Sequence, residues 1–167
     1  LVEGLKNIPG VIKVSMQTHG TLLTQKLIKS LERAGLSQIN LSIDSLNSAL
    51  CKKLSNTPAY NIEHVKKMAG LIAESKMVLM ITPIIVPGMN EEEIPEIIEF
   101  AESIGASLGI QKYMREKHGR KIKAREWTWY KFRQVMQSYE KKYDIKLLLS
   151  KKDFNIHKSN EHVSDPL

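Results

Sequence analysis

Three polar side chains at alternate positions, Asn40, Ser42 and Asp44, lie within the run Gln38-Ile39-Asn40-Leu41-Ser42-Ile43-Asp44. Alternate residues of an extended chain point to opposite faces, so Ile39, Leu41 and Ile43 make an apolar face and the three polar residues make the other. A carboxamide, a hydroxyl and a carboxylate together can bind a polar or zwitterionic small molecule. In parallel α/β proteins ligands bind at the carboxyl ends of strands, which is where Ser42 and Asp44 fall. The stretch Asp44-Ser45-Leu46-Asn47 is also good turn chemistry, so taken alone the pair reads equally as the polar end of a strand.

Other chemistry-bearing residues are sparse. His19, His64, His118, His157 and His162 show no metal-ligand spacing with one another. Cys51 is the only cysteine, which excludes an internal disulfide and a multi-thiolate metal site, and its helix-like surroundings predict a half-buried side chain. The net charge of +7 is local: residues 1–110 carry 10 basic and 11 acidic side chains, whereas residues 111–167 carry 15 and 7. Seven basic residues and one acidic residue fall between Lys112 and Arg125, interleaved with Tyr113 and followed by Trp127 and Trp129. Such a segment is either a solvated loop, or a contact for phosphates and bases, or a clamp on an anionic substrate.

The elements that must position these residues alternate along the chain. Val11 to Met16 reads as a strand. Thr24 caps a helix carrying Leu27, Ile28, Leu31 and Ala34, and Gly35 ends it. After the Asp44 strand, Ser48 to Leu54 reads as a short extra helix with Leu50 and Leu54 facing inward. Asn61 caps a longer helix burying Ile62, Val65, Met68 and Leu71-Ile72. Met77 to Ile85 reads as one continuous apolar strand buried on both faces. Pro87-Gly88-Met89-Asn90 closes it, and Glu91, Glu92 and Glu93 open a helix running to about Ile104. Leu108 to Tyr113 predicts a strand, Trp127 to Tyr143 a helix, and Ile145 to Leu149 another strand.

Roughly five strands with helical crossovers predict a parallel α/β sheet. The polar rows Lys13/Ser15/Gln17 and Asn40/Ser42/Asp44 favour a barrel-like concavity, yet five strands do not close a (β/α)₈ barrel. The expected fold is therefore a partial parallel (β/α) barrel over residues 1–150 with its N-terminal units missing, and an extended tail over 151–167 leading to further chain. Leu1 stands inside a helix-like run, so the chain is expected to be a piece of a longer protein. No stretch reaches the roughly 18 to 20 apolar residues of a membrane span, and a cytoplasmic location is the default expectation. A barrel cut in this way is expected to expose an edge that invites dimerisation.

The runs QTHGTLLT at Gln17 to Thr24, AGLSQINLSIDSLN at Ala34 to Asn47 and ITPIIVPGMNEEEIPEII at Ile81 to Ile98 resemble the radical S-adenosylmethionine superfamily. Within it they are most similar to the GTP cyclases of molybdenum-cofactor synthesis. With GIQKY at Gly109 to Tyr113, GRK at Gly119 to Lys121 and the helix to Tyr143, the chain is similar to an archaeal branch of the same superfamily. The resemblance implies a partial (β/α)₆ barrel in which a 4Fe-4S cluster on a CxxxCxxC loop cleaves S-adenosylmethionine to a 5′-deoxyadenosyl radical. The chain departs from that pattern decisively, because it has no such cysteine motif. One cysteine is too few to hold a cluster, and side chains alone do not perform one-electron cleavage. The resemblance thus implies the later part of an enzyme whose cosubstrate and cluster belong to the full-length protein, with the cluster held outside this chain and the fragment alone inactive.

Residue by residue, the resemblance places Thr18 at the methionine end of the cosubstrate, with His19 where Asn is usual. Ser42 matches a position binding the cosubstrate carboxylate, and Asp44 lies near the ribose. Thr82 stands where the cyclases have Asn, and Ile85 and Val86 occupy the segment supporting adenine. Asn40 can join Thr18, Ser42 and Asp44 in holding the amino-acid end. Gln111, Lys112, Tyr113 and Arg120 are candidate substrate-side residues. The other function class left open is a non-redox module that contacts RNA or an anionic ligand through the basic loop 112–125.

Overall fold

Short β-branched and apolar runs separated by capped helices fold as repeated β-α units. The computed structural model describes residues 1–115 and 124–148. It divides into two compact units, Leu1–Trp127 and Thr128–Leu167. In the first, a short helix α1 (Val2–Lys6) precedes β1 (Ser15–Thr18), α2 (Gln25–Arg33), β2 (Gln38–Leu41), α3 (Ser48–Ser55) and α4 (Ile62–Ala73). Then follow β3 (Val78–Ile81), β4 (Ile84–Ile85), a 3₁₀ turn (Glu91–Glu93), α5 (Ile94–Ser103), β5 (Ser107–Leu108) and β6 (Gln111–Lys112). All pairings are parallel, in the order β1-β2-β3-β5, with β4 and β6 forming a separate two-stranded ladder.

The helix starts follow the side chains that cap them. Thr24 Oγ1 accepts from Leu27 N at 3.2 Å, Asn47 Oδ1 from Ala49 and Leu50 N at 3.0 Å each, and Asn61 Oδ1 from His64 N at 3.1 Å. Ile28, Val65, Met68, Ala69, Ile72, Ile97 and Ala101 are buried with Ile39, Leu41, Leu79 and Ile81 in one core on the helix side of the sheet. Leu27, which shares the helical spacing of Ile28 and Leu31, is 42% exposed. Cys51 rather than Leu50 or Leu54 is the buried residue of α3.

Three strand expectations are corrected. The first strand begins at Ser15, later than expected, and extends to Thr18, where its ladder with Leu41 persists. Met77 to Ile85 is interrupted at Thr82-Pro83, because Pro83 has no N–H to continue the ladder. It is also not buried on both faces, since Val78 is 47% exposed on the open side of the sheet. Leu108 to Tyr113 breaks at the matching level into β5 and β6, joined by Gly109 N donating to Ile81 O at 2.9 Å and Gln111 N to Pro83 O at 2.8 Å.

The second unit contains α6 (Trp129–Tyr143), which starts two residues later than expected because Thr128 Oγ1 caps it by accepting from Lys131 N at 3.1 Å. The strand expected over Ile145 to Leu149 is not formed across its described residues 145–148. Leu147 and Leu148 instead donate their N–H groups to Glu140 Oε1 at 2.7 Å each. Leu149, Arg120 and the expected tail 151–167 lie outside the described residues. Among the described residues no helix is long and apolar enough to cross a membrane. The sheet does not close on itself, and the architecture is a partial parallel barrel.

Candidate functional site at the carboxyl edge of the sheet

Parallel register assigns the faces. Ser15 pairs with Gln38 and Gln38 with Val78, while Gln17 pairs with Asn40 and Asn40 with Met80. These residues share the face opposite the helix-side core, and Ser42 and Thr82 follow them one step toward the carboxyl edge. Ser42 N donates to Thr18 O and Thr82 N to Leu41 O, each at 2.9 Å, so the ladders still hold at that level. Gly109 belongs to the same row. A Cβ added there would lie 3.1 Å from Met80 Sδ and 3.5 Å from Thr82 Cγ2.

Polar contacts run along this face. Lys13 Nζ donates to Gln38 Oε1, Gln38 Nε2 donates to Asn40 Oδ1 at 2.5 Å, and Gln17 Nε2 donates to Ser42 Oγ at a long 3.5 Å. Ser42 is buried. Thr82 is 3% exposed, and among the described residues its hydroxyl is the one buried side-chain polar atom without a hydrogen-bond partner. A buried hydroxyl in that state costs about 1–3 kcal/mol, and such groups are rare in native proteins.

Asp44 is engaged elsewhere. Its Oδ1 accepts from Ile84 N at 2.8 Å, filling the place of the ladder bond that β2 would supply had it continued. Burial pushes its carboxyl above the usual carboxylate range, opposed by the Ile84 N–H and by His19. Thr18, paired in register with Leu41, faces the helix side, and its Oγ1 accepts from Gly20 N at 3.1 Å. The structure therefore brings Asn40, Ser42 and Thr82 together on one face and sets Thr18 on the other.

Ile85 and Val86 are buried, with Val86 N donating to Asn90 Oδ1 at 2.7 Å. Gln111 is exposed and Tyr113 half-buried at the end of β6. Lys112, expected as a substrate or nucleic-acid contact, is buried and donates to Glu126 Oε1 and, at 3.1 Å, to Tyr113 O. That pairing holds the Glu126 carboxyl below its usual range. Beyond β4, a pocket of about 600 Å³ opens between the turn Pro87 to Met89 and residues 124–127, a size suited to a small molecule. A second pocket, lined by Ser42, Asp44, His19 and Tyr60 among others, measures only about 10 Å³ and has room for one water at most.

Sequence reasoning missed two residues at this edge. Its place in the segment that closes the strand gives Asn90 no more than a turn role, but its side chain bonds to Asp44, Ile84 and Val86. Glu93 Oε2 accepts from Ser45 Oγ at 2.5 Å and from Leu46 N at 2.9 Å, tying the turn after β2 to the 3₁₀ turn. Both roles depend on where neighbouring strands stop, which local sequence does not signal.

With this geometry in view, comparison with known proteins is decisive: residues 1–101, more than half of the chain, match the model of the radical SAM superfamily. The chain belongs to the radical SAM superfamily. An uncharacterised protein of Methanocaldococcus jannaschii is 37% identical over 87% of this chain and 39% of its own length. The GTP 3',8-cyclase of Aquifex aeolicus is 27% identical over 68% of this chain and 35% of its own length. Streptococcus suis SuiB bound to S-adenosylmethionine superposes with a TM-score of 0.66 at 17% identity, over 83% of this chain and 32% of SuiB, a likeness of fold. The chain thus spans between a third and two fifths of the length of the first two of these relatives.

Radical SAM membership implies S-adenosylmethionine and a 4Fe-4S cluster in the full-length protein. The donor set here does not fit the cluster. Cys51 is the sole cysteine, its thiol is buried and donates to Ser45 O at 3.0 Å, and burial pushes its pKa up. Among the described residues no group of three His, Cys, Asp or Glu side chains could hold a metal. The residue types do fit the cosubstrate's amino-acid end, because the Asn40 carboxamide and the Ser42 and Thr82 hydroxyls lie on one face and the Thr82 hydroxyl lacks a partner that a polar ligand could supply.

Proposed function

We propose that this chain is the cosubstrate- and substrate-binding portion of a radical SAM enzyme. Asn40, Ser42 and Thr82 bind the polar amino-acid end of S-adenosylmethionine, and the buried Ile85 and Val86 support its adenine. That cosubstrate supplies radical chemistry when bound. The chain's own residues bind it, orient it and exclude water on the apolar side. The electron source lies outside this chain, which alone carries out no redox reaction. Substrate enters on the side of Gln111, Tyr113 and the 600 Å³ pocket beyond β4. Family membership and the buried Thr82 hydroxyl support this reading, and the hydroxyl carries it, because unpaired buried polar groups are rare in native proteins and a bound polar ligand would supply the partner it lacks.

Thr82→Val, nearly isosteric and without the hydroxyl, tests it. In the ligand-free full-length protein the variant is expected to be more stable by about 1–2 kcal/mol, since it removes an unsatisfied buried group. Calorimetric titration is expected to show S-adenosylmethionine affinity reduced about tenfold, with a comparable loss in Ser42→Ala. Unchanged affinity in both variants would reject the site.

A further inference from the structure

Asn90 is 1% exposed, and its carboxamide uses three bonds at once. Its Nδ2 donates to Asp44 O at 2.6 Å and to Ile84 O at 2.9 Å, while Oδ1 accepts from Val86 N at 2.7 Å. These three backbone groups are the ones stranded when β2 ends and β3–β4 continues past it. Beside a continuing strand, a peptide group would supply both a donor and an acceptor there. A carboxamide reproduces that pairing, with two hydrogens for two carbonyls and an oxygen for the remaining N–H.

The two segments it joins are the two halves of the site proposed above. Asp44 closes the strand that presents Ser42, and Ile84 to Val86 is the apolar support. We infer that Asn90 is a positioning residue that sets the distance between the polar and apolar halves of the S-adenosylmethionine site without touching the ligand. The inference rests on that reading of the site. Glu93 supplies the control, because it anchors the neighbouring Ser45-Leu46 turn and, among the described residues, makes no hydrogen bond to Ile84, Val86 or Asp44.

The test uses the full-length protein and S-adenosylmethionine itself, with affinity by titration and stability by thermal unfolding. Asn90→Ala and Asn90→Asp are expected to lose affinity at least tenfold, whereas Glu93→Ala, compared at a matched drop in Tm, loses less than threefold. As pH falls, the Asn90→Asp variant should recover affinity relative to wild type, because the protonated introduced carboxyl regains one donor for a carbonyl. The Asn90→Ala ratio should stay flat. If either Asn90 variant fails to fold, hydrogen exchange in the wild type decides: bound S-adenosylmethionine should slow exchange at the Ile84 and Val86 amides. Equal affinity losses for Asn90→Ala and Glu93→Ala at matched stability, or unchanged exchange at those amides, would overturn the inference. Wild-type protein that does not bind S-adenosylmethionine defeats the parent reading and this one together. Retained affinity in Asn90→Ala beside a loss in Ser42→Ala defeats this one alone.

Discussion

Replacing Gly20 by alanine probes how the first β-α turn is packed under the site. Gly20 has φ +78, and a Cβ added to it would lie 2.8 Å from Leu41 Cδ1 and 3.2 Å from Val65 Cγ1. Leu41 and Val65 are both fully buried, so neither has open space to withdraw into. Two penalties arise. The left-handed backbone disfavours a residue with Cβ by roughly 1–2 kcal/mol. Forcing a methyl group into a filled core adds about 1–3 kcal/mol. The narrower unfolded ensemble of alanine returns about 0.4–1 kcal/mol. The net expectation is a loss of about 1–5 kcal/mol, a large share of the roughly 5–15 kcal/mol that holds a domain together.

Gly88 separates the two penalties. It has φ +79, nearly the same backbone, but nothing lies within 4 Å of the Cβ position. Gly88→Ala should therefore show the backbone effect alone, about 1 kcal/mol or less after the unfolded-state gain. Urea denaturation followed by circular dichroism reads both variants as shifts in midpoint at constant m. In a Leu41→Val background, which removes the Cδ1 atom, the Gly20→Ala loss should shrink toward the Gly88→Ala value. A Gly20→Ala loss no greater than that of Gly88→Ala, or one unaffected by Leu41→Val, would refute the packing argument.

Asp44 and Cys51 give two further expectations. The Asp44 carboxyl titrates above its ordinary 3.8 in the folded state, so the folded protein holds that proton more tightly than the unfolded chain. Its contribution to stability is therefore greatest in acid and falls as pH rises through the folded pKa. Asp44→Asn keeps an acceptor for Ile84 N and should remove this dependence, so the difference in urea midpoint between the variant and wild type should grow in the variant's favour with rising pH; a flat or opposite trend would sink the claim. Cys51, 4% exposed with its pKa raised by burial, should resist a thiol-reactive disulfide reagent at pH 8 in the native protein and react at once in urea, and rapid native labelling would contradict its placement.

Local periodicity made much of this fold legible. The alternation from Gln38 to Asp44 assigned Asn40 and Ser42 to one face, and cap residues such as Thr24 and Asn61 marked helix starts that the structure keeps. What escaped depends on where neighbouring strands stop. A first strand ending at Met16 says nothing of which face Thr18 takes; with the ladder persisting to Leu41, strict alternation turns its side chain to the helix side. Ile145 to Leu148 has the apolar character of a strand, but that character does not reveal that Glu140 would take two of its N–H groups.

The carboxyl edge shows why these long-range devices also locate the site. Parallel strands that end at different levels strand backbone groups beside a buried core, and those groups must be paired. Asp44 pairs with Ile84, Asn90 with Asp44, Ile84 and Val86, Glu91 with Gly88 and Met89, and Glu93 with Ser45 and Leu46. Each of these side chains has a structural task, and polarity alone would have marked all of them as ligand contacts. Thr82 occupies the same edge, is buried, and among the described residues its hydroxyl pairs with nothing. Once the structural demand for polar groups has been met by the others, its hydroxyl is the buried polar side-chain atom left over among the described residues, and that distinction is what singles it out for the proposed cosubstrate site over polar residues that merely end a strand.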